Sequence, residues 1–192
     1  MRVESLMANL YREPDVTMHE PVMTLSYGTR LEVITSTAED GGWFYLRLPD
    51  RRGSWVQAGD VTENPGTLTV EESITLAKRF IGITYLWGGV SSFGLDCSGF
   101  TQMLVQSRGV LMPRDADLQA AWSGVVPVER DQLRPGDLLF FGRDAEQISH
   151  TGMYVGEGRF IHDTTRGHPG VQINVLDEEP WKGLHVASRR VK

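Results

Sequence analysis

The chain of 192 residues holds a single cysteine, and the place of that residue constrains the fold more than any other feature. Cys97 follows the glycine-rich stretch Tyr85-Leu86-Trp87-Gly88-Gly89 and opens the apolar pattern Phe100, Met103, Leu104, which Gly109 closes. A loop that hands over to a helix at a cysteine puts the thiol at a helix N-terminus, where free N–H groups and the helix dipole favour thiolate over thiol. One cysteine also rules out an internal disulfide framework and a Cys-based zinc cluster.

The helical pattern around this point is short and interrupted. Thr69 and Glu72 form a capping box, with Ile74, Ala77 and Ile81 at helical spacing, which predicts a helix over Val70 to Phe80 ended by Gly82. Pro113-Arg114-Asp115 opens a polar helical segment through Trp122. Beyond the turn Leu133-Arg134-Pro135-Gly136-Asp137, the run Leu138-Leu139-Phe140-Phe141 reads as a strand buried on both faces. Further strands are expected at His150–Val155, Arg159–Asp163, Val171–Val175 and His185–Arg189, giving a small antiparallel sheet.

Gly156-Glu157-Gly158 reads as a three-residue hairpin loop with a bulge. That length pairs Val155 with Arg159 and Gly152 with His162, so His150 and His162 become diagonal neighbours on one sheet face. A two-residue loop would place them on opposite faces.

Residues 1–66 read differently. Met23–Tyr27, Leu31–Ile34, Trp43–Leu48 and Ser54–Val56 are short strands, separated by turns at Gly28-Thr29, Gly41-Gly42 and Pro49 to Gly53. Five short strands between Met7 and about Thr62, these four among them, and no amphipathic helix predict a small β-barrel, with Trp43, Phe44, Tyr45 and Trp55 in core and edge packing. Glu63-Asn64-Pro65-Gly66 is the expected linker, dividing the chain into 1–66 and 67–192.

A thiol on a helix start and two histidines on neighbouring strands supply the roles of a cysteine hydrolase. Cys97 attacks a carbonyl, His150 takes and returns the proton, and His162 holds the His150 ring in its productive tautomer. The backbone N–H of Cys97 is a natural oxyanion donor. His19, His168 and His185 fall in loop or edge contexts and are expected in solvent. The rival chemistry is a metal site from His150, His162 and Asp163 or Cys97, although the spacing matches no ligand signature. Neither metal nor cofactor is expected.

Nineteen basic residues against twenty-five acidic ones, a net charge of −6, argue against nucleic acid and anionic surfaces as partners. No apolar run approaches the roughly 18 residues that span a bilayer, and no signal-peptide core is present. As given, the chain is expected to be cytoplasmic, or in the cell envelope or secreted if a leader was removed.

The motifs Tyr85-x-Trp87-Gly88-Gly89, Asp96-Cys97-Ser98-Gly99-Phe100, Pro113-Arg114-Asp115, Arg134-Pro135-Gly136-Asp137, Ser149-His150-Thr151-Gly152-Met153-Tyr154 and Phe160-Ile161-His162 together resemble the NlpC/P60 family of papain-like cysteine peptidases that cut bacterial cell-wall peptides. Tyr27-Gly28-Thr29, Gly42-Trp43-Phe44, Leu48-Pro49-Asp50 and Gly53-Ser54-Trp55-Val56 resemble a bacterial SH3 (SH3b) domain. The expected architecture is therefore α+β, a papain-like domain of helices on a small antiparallel sheet preceded by an SH3-like barrel.

The whole chain resembles γ-D-glutamyl-L-diamino acid endopeptidases. This implies hydrolysis of the γ-D-Glu–diamino acid bond in stem peptides with a free N-terminal L-Ala, through a thioester. The resemblance implies Cys97 as nucleophile, His150 as base, His162 as third member, and Tyr85 on the substrate carbonyl side. Asp96 and Ser98 would hold the substrate's α-ammonium, with Glu20 assisting and Trp55 in the groove wall. Ala116 stands where the subgroup often has serine, which removes one possible hydrogen bond to substrate. Intact peptidoglycan as substrate, a non-catalytic wall-binding module, and an acyltransferase or amidase on another substrate are the alternative readings.

Overall fold

Alternating short strands dominate the first part of the chain, and helices laid against a sheet dominate the second. The computed structural model describes residues 1–36 and 42–192. It divides into two units, Met1–Gly66 and Thr67–Lys192.

In the first unit the strands are β1 (Arg2–Val3), β2 (Met7–Tyr11), β3 (Met23–Ser26), β4 (Glu32–Ser36), β5 (Trp43–Arg47), β6 (Gly53–Gln57) and β7 (Val61–Thr62). Five of them form one antiparallel sheet in the order β3-β2-β6-β5-β4, while β1 pairs with β7. Among the described residues β3 and β4 remain sheet edges, so the expected barrel is seen as an open sheet beside a two-stranded pair. The turn expected at Gly41-Gly42 lies partly outside the described residues.

Period-two alternation sends Ala8, Leu10, Leu46 and Val56 into an aliphatic core with Val3, Leu25 and Leu48. The aromatic residues depart from expectation. Only Phe44 packs against that core; Trp43, Tyr45 and Trp55 stand on the opposite face. There Tyr45 and Trp55 are cross-strand partners with ring centroids 4.8 Å apart, and Tyr11 meets Trp43 edge-on at 5.5 Å. The core positions take branched aliphatics because those fill a thin interior, while the aromatics ladder across the sheet's other face.

The second unit opens with α1 (Val70–Arg79), whose capping box is realised in full: Thr69 Oγ1 accepts from the Glu72 N–H, and Glu72 accepts from the Thr69 N–H. Ile74, Leu76 and Ala77 form its buried face. Ile81 lies past the helix end and is 51% exposed. The hairpin of β8 (Val90–Ser91) and β9 (Gly94–Leu95) then leads into α2 (Cys97–Ser107), and α3 (Ala116–Ala121) follows.

The sheet comprises β10 (Val125–Pro127), β11 (Leu138–Gly142), β12 (Ile148–Gly156), β13 (Arg159–Thr164), β14 (Gly170–Val175) and β15 (His185–Val191), with the short α4 (Trp181–Leu184) before the last strand. It is antiparallel throughout, in the order β10-β15-β11-β12-β13-β14. The last strand thus inserts beside β11, and every residue of β11 is buried. Helix α2 packs on β12 and β13. A separate cluster of Leu139, Phe141, Phe160, Leu176 and Trp181 packs together, with Trp181 contributed by α4.

The hairpin between β12 and β13 reaches the expected register by a different route. Met153 pairs with Ile161 and Tyr154 with Phe160, but Gly156 pairs with Arg159 across a bulge at Val155. Glu157 and Gly158 form the turn, both at positive φ. A two-residue turn plus one bulged residue has the same parity as a three-residue loop. His150 and His162 therefore share a face.

Loss of the α1 cap is expected to be measurable. Thr69→Ala should lower stability by about 1 kcal/mol, read as a lower denaturant midpoint with an unchanged slope. An unchanged midpoint would mean that the box does not form in solution.

Candidate active site

The thiol is positioned by one carboxylate. Asp96 is the N-cap of α2, and its Oδ1 accepts from the Gly99 N–H at 2.7 Å. Arg114 forks onto it, with Nη1 donating to Oδ1 at 2.9 Å and Nη2 to Oδ2 at 2.5 Å. The Gly88 N–H completes the Oδ2 shell at 2.9 Å. Burial alone would raise the Asp96 pKa, but Arg114 and the N–H groups of Gly99 and Gly88 outweigh it and hold the carboxyl below the usual range.

The same guanidinium donates to Ser98 Oγ at 2.8 Å and to the Gly89 carbonyl at 3.2 Å, tying the glycine loop to the helix start. Gln119 on α3 donates to the Ser98 carbonyl at 2.9 Å and accepts from Thr101 at the same distance. A Cβ on Gly99 would come within 2.2 Å of the Gly89 carbonyl oxygen, which explains glycine two residues after the thiol. Tyr85 is fastened beside this point by its bridge to Leu95.

Cys97 is 7% exposed. Burial pushes its pKa up to about 11, with the charges of Asp96 and Asp163 adding to the rise and the N–H groups of Thr151 and Ser98 opposing it. Thr151 directly follows His150, so the sulfur lies against the strand that carries His150. Tyr85 is likewise pushed to about 12, first by burial and then by the charges of Cys97, Asp96 and Asp163. Its hydroxyl stays protonated and able to donate.

On the neighbouring strands β12 and β13 the imidazoles are chained. His150 Nε2 lies 2.7 Å from His162 Nδ1, and His162 Nε2 lies 2.8 Å from Asn174 Oδ1 on β14. With the Asn174 carbonyl oxygen as acceptor, His162 carries its proton on Nε2 and accepts at Nδ1. His150 must then donate from Nε2, which leaves Nδ1 as its free acceptor. Trp181 stacks on His150 at 5.4 Å and meets His162 edge-on at 4.6 Å. Burial lowers the His162 pKa to about 4 against the pull of Asn174. Burial, then the charges of His162 and Arg166, hold His150 well below the usual imidazole range. Both rings are neutral near pH 7.

The remaining expectations divide. Alternation along β13 sends Asp163 to the face opposite His162, so the two cannot ligate one ion, and among the described residues no group of three ligands assembles. Asp163 is fully buried and neither carboxylate oxygen has a partner within bonding geometry. Burial pushes it up to about 7, Asp96 adding to the rise and the Thr164 N–H opposing it. His185 is not in open solvent as expected: it bonds Arg130 and Ser188, each at 2.9 Å. Glu20 and Trp55 lie in the first unit, Glu20 exposed between β2 and β3 and Trp55 on β6.

In the sequence Arg114 shows only as part of the Pro113-Arg114-Asp115 motif, and nothing in local spacing links it to Asp96. Gln119, Asn174 and Trp181 gave no sequence signal, because each acts through a partner far away in the chain.

Two cavities lie at Cys97 and His150. One, of about 390 Å³, is lined by Cys97, Asp96, Asp115, Ala116 and Asp117. The other, of about 470 Å³, is lined by His150, Phe141, Trp181, Arg143 and Arg166. Tyr85, Trp87 and Ser149 border both.

Comparison with known proteins places this geometry. The family model described as the NlpC/P60 family matches residues 82–190. The γ-D-glutamyl-L-lysine dipeptidyl-peptidase of Bacillus cereus is 33% identical over 175 residues, covering 88% of this chain and 51% of that protein. The Bacillus subtilis protein of the same name is 35% identical, covering 89% of this chain and 56% of its own length. Murein DD-endopeptidase MepH of Escherichia coli is 37% identical over 114 residues, 58% of this chain and 42% of that one. A crystal structure of an NlpC/P60 family protein from Bacillus cereus superposes with a TM-score of 0.85 at 31% identity, over 99% of this chain and 62% of that chain. The chain spans about half the length of the first two of these relatives.

The raised thiol pKa gives a direct test. Alkylation of Cys97 by iodoacetamide, followed by mass spectrometry, should accelerate steadily from pH 7 toward pH 10, because the thiolate fraction grows as pH approaches a pKa of about 11. A rate already level at pH 7 would show a preformed thiolate–imidazolium pair instead.

Proposed function

The chain belongs to the NlpC/P60 family of cysteine peptidases, and from that premise we propose that it hydrolyses the γ-D-Glu–diamino acid bond of short peptidoglycan stem peptides with a free amino end. The observation that carries this reading is the hydrogen-bonded chain His150–His162–Asn174, which leaves His150 Nδ1 as a neutral acceptor on the strand residue next to Thr151, whose N–H reaches the Cys97 sulfur.

In this mechanism Cys97 Sγ adds to the γ-carbonyl carbon as its proton passes to His150 Nδ1. The oxyanion is held by the Cys97 N–H and the Tyr85 hydroxyl. The intermediate collapses with C–N cleavage, and His150 returns the proton to the leaving amine. His150 then deprotonates a water that attacks the thioester, the C–S bond breaks, and the proton returns to sulfur. His162 and Asn174 keep the His150 tautomer correct throughout.

The amino end of the substrate is read in the Cys97-side cavity. The two Asp96 oxygens already accept from Arg114, Gly99 and Gly88, so Asp96 and Ser98 act chiefly by shaping the site. Asp115 and Asp117, exposed on the same cavity, are the carboxylates open to an α-ammonium. The first unit is proposed as an SH3b module, with Glu20 and Trp55 as its contributions to substrate choice.

Incubation of L-Ala-γ-D-Glu-meso-diaminopimelate with the wild type should release the dipeptide L-Ala-D-Glu by mass spectrometry, while Cys97→Ala should release none. The N-acetylated peptide should be resistant, and equal rates on both peptides would remove the amino-end requirement. Clearing of intact sacculi without cleavage of the free peptide would favour polymeric wall as substrate.

The relay has its own test. Asn174→Leu should lower kcat about tenfold with little change in KM, whereas Asn174→Asp keeps an acceptor for His162 Nε2 and should recover most of the rate. Equal losses in the two variants would reverse the tautomer assignment.

A further inference from the structure

The cavities on either side of the reacting pair carry opposite charge. Asp115 and Asp117 line the Cys97 side, while Arg143 and Arg166 line the His150 side. Arg143 follows β11 and Arg166 follows β13, and both side chains are exposed. Four other arginines of this unit are paired with carboxylates: Arg114 with Asp96, Arg130 with Asp177, Arg159 with Glu157 and Arg190 with Asp137. Arg143 and Arg166 have no carboxylate partner among the described residues. Arg166 is instead held over the Trp181 ring, 5.9 Å from its centroid.

The chemistry assigns an occupant to this cavity. His150 must hand its proton to the leaving amine, so the residue that departs with that amine sits on the His150 side, while the acyl residue stays with Cys97. The walls contributed by Phe141, Trp181 and Leu184 suit an aliphatic side chain, and the two guanidiniums above them suit a carboxylate. An ammonium at that place would meet like charge.

Resting on the peptidase reading, we propose that Arg143 and Arg166 form a subsite for the side-chain carboxylate of the leaving diamino acid, so that the protein prefers meso-diaminopimelate to L-lysine at this position. Lysine ends in an ammonium alone, whereas diaminopimelate adds a carboxylate at the end of a chain of similar length. The preference differs from what the names of the Bacillus relatives state for those proteins.

The experiment compares L-Ala-γ-D-Glu-meso-diaminopimelate with L-Ala-γ-D-Glu-L-Lys, measuring kcat/KM for the wild type and for Arg143→Gln, Arg166→Gln and the double variant. In parallel, calorimetry measures binding of each peptide to Cys97→Ala with and without the two arginine substitutions. The wild type should favour diaminopimelate by about tenfold or more, and the double variant should bring the ratio to within about twofold of unity.

Equal cleavage of the two peptides by the wild type would overturn the subsite and leave the peptidase reading intact. So would a loss of rate on both peptides in the same proportion, since the α-carboxylate of the leaving residue is common to them. Arginine-dependent binding of the diaminopimelate peptide without turnover of either peptide would uphold the subsite and overturn the peptidase reading. Absence of both binding and turnover would overturn both.

Discussion

The fork of Arg114 on Asp96 is the interaction on which the rest of the site depends. A nearly buried carboxylate needs its charge balanced and its lone pairs filled. Arg114, Gly99 and Gly88 do both, and each of them belongs to a segment that must be held in place. The glycine loop, the start of α2 and the segment before α3 are thereby locked to one another. Cys97, as the first residue of α2, takes its position from that lock.

Opposite the thiol, position is set by parity. One bulged residue at Val155 brings a two-residue turn into the register that puts His150 and His162 on a single face. That face also receives Phe141, Phe160 and Trp181, whose rings enclose the imidazoles. The enclosure has an electrostatic consequence: buried rings resist charging, as does the buried thiol. Cys97, His150 and His162 are therefore neutral near pH 7, and in the proposed mechanism charge would separate only during the reaction, where the Cys97 N–H, the Tyr85 hydroxyl and the relay to Asn174 would stabilise it.

The cleft is polarised along its length. Carboxylates border the Cys97 side, guanidiniums border the His150 side, and Tyr85 and Trp87 line both. A short zwitterionic peptide is matched by such a field. A neutral or uniformly charged one is not.

The sequence alone determined the features that depend on neighbours in the chain. The Thr69–Glu72 box, the thiol at a helix start, the buried run Leu138–Phe141 and the shared face of His150 and His162 all follow from local spacing and from the periods of helix and strand. Tertiary structure decided what depends on residues far apart. It placed β15 beside β11, turned Trp43, Tyr45 and Trp55 away from the aliphatic core, and brought Arg114 to Asp96, Asn174 to His162 and Trp181 to His150. Those partners carry no periodic signature, because a hydrogen bond or a ring contact across the fold selects a single side chain at a single point, and only the packed chain defines which point that is.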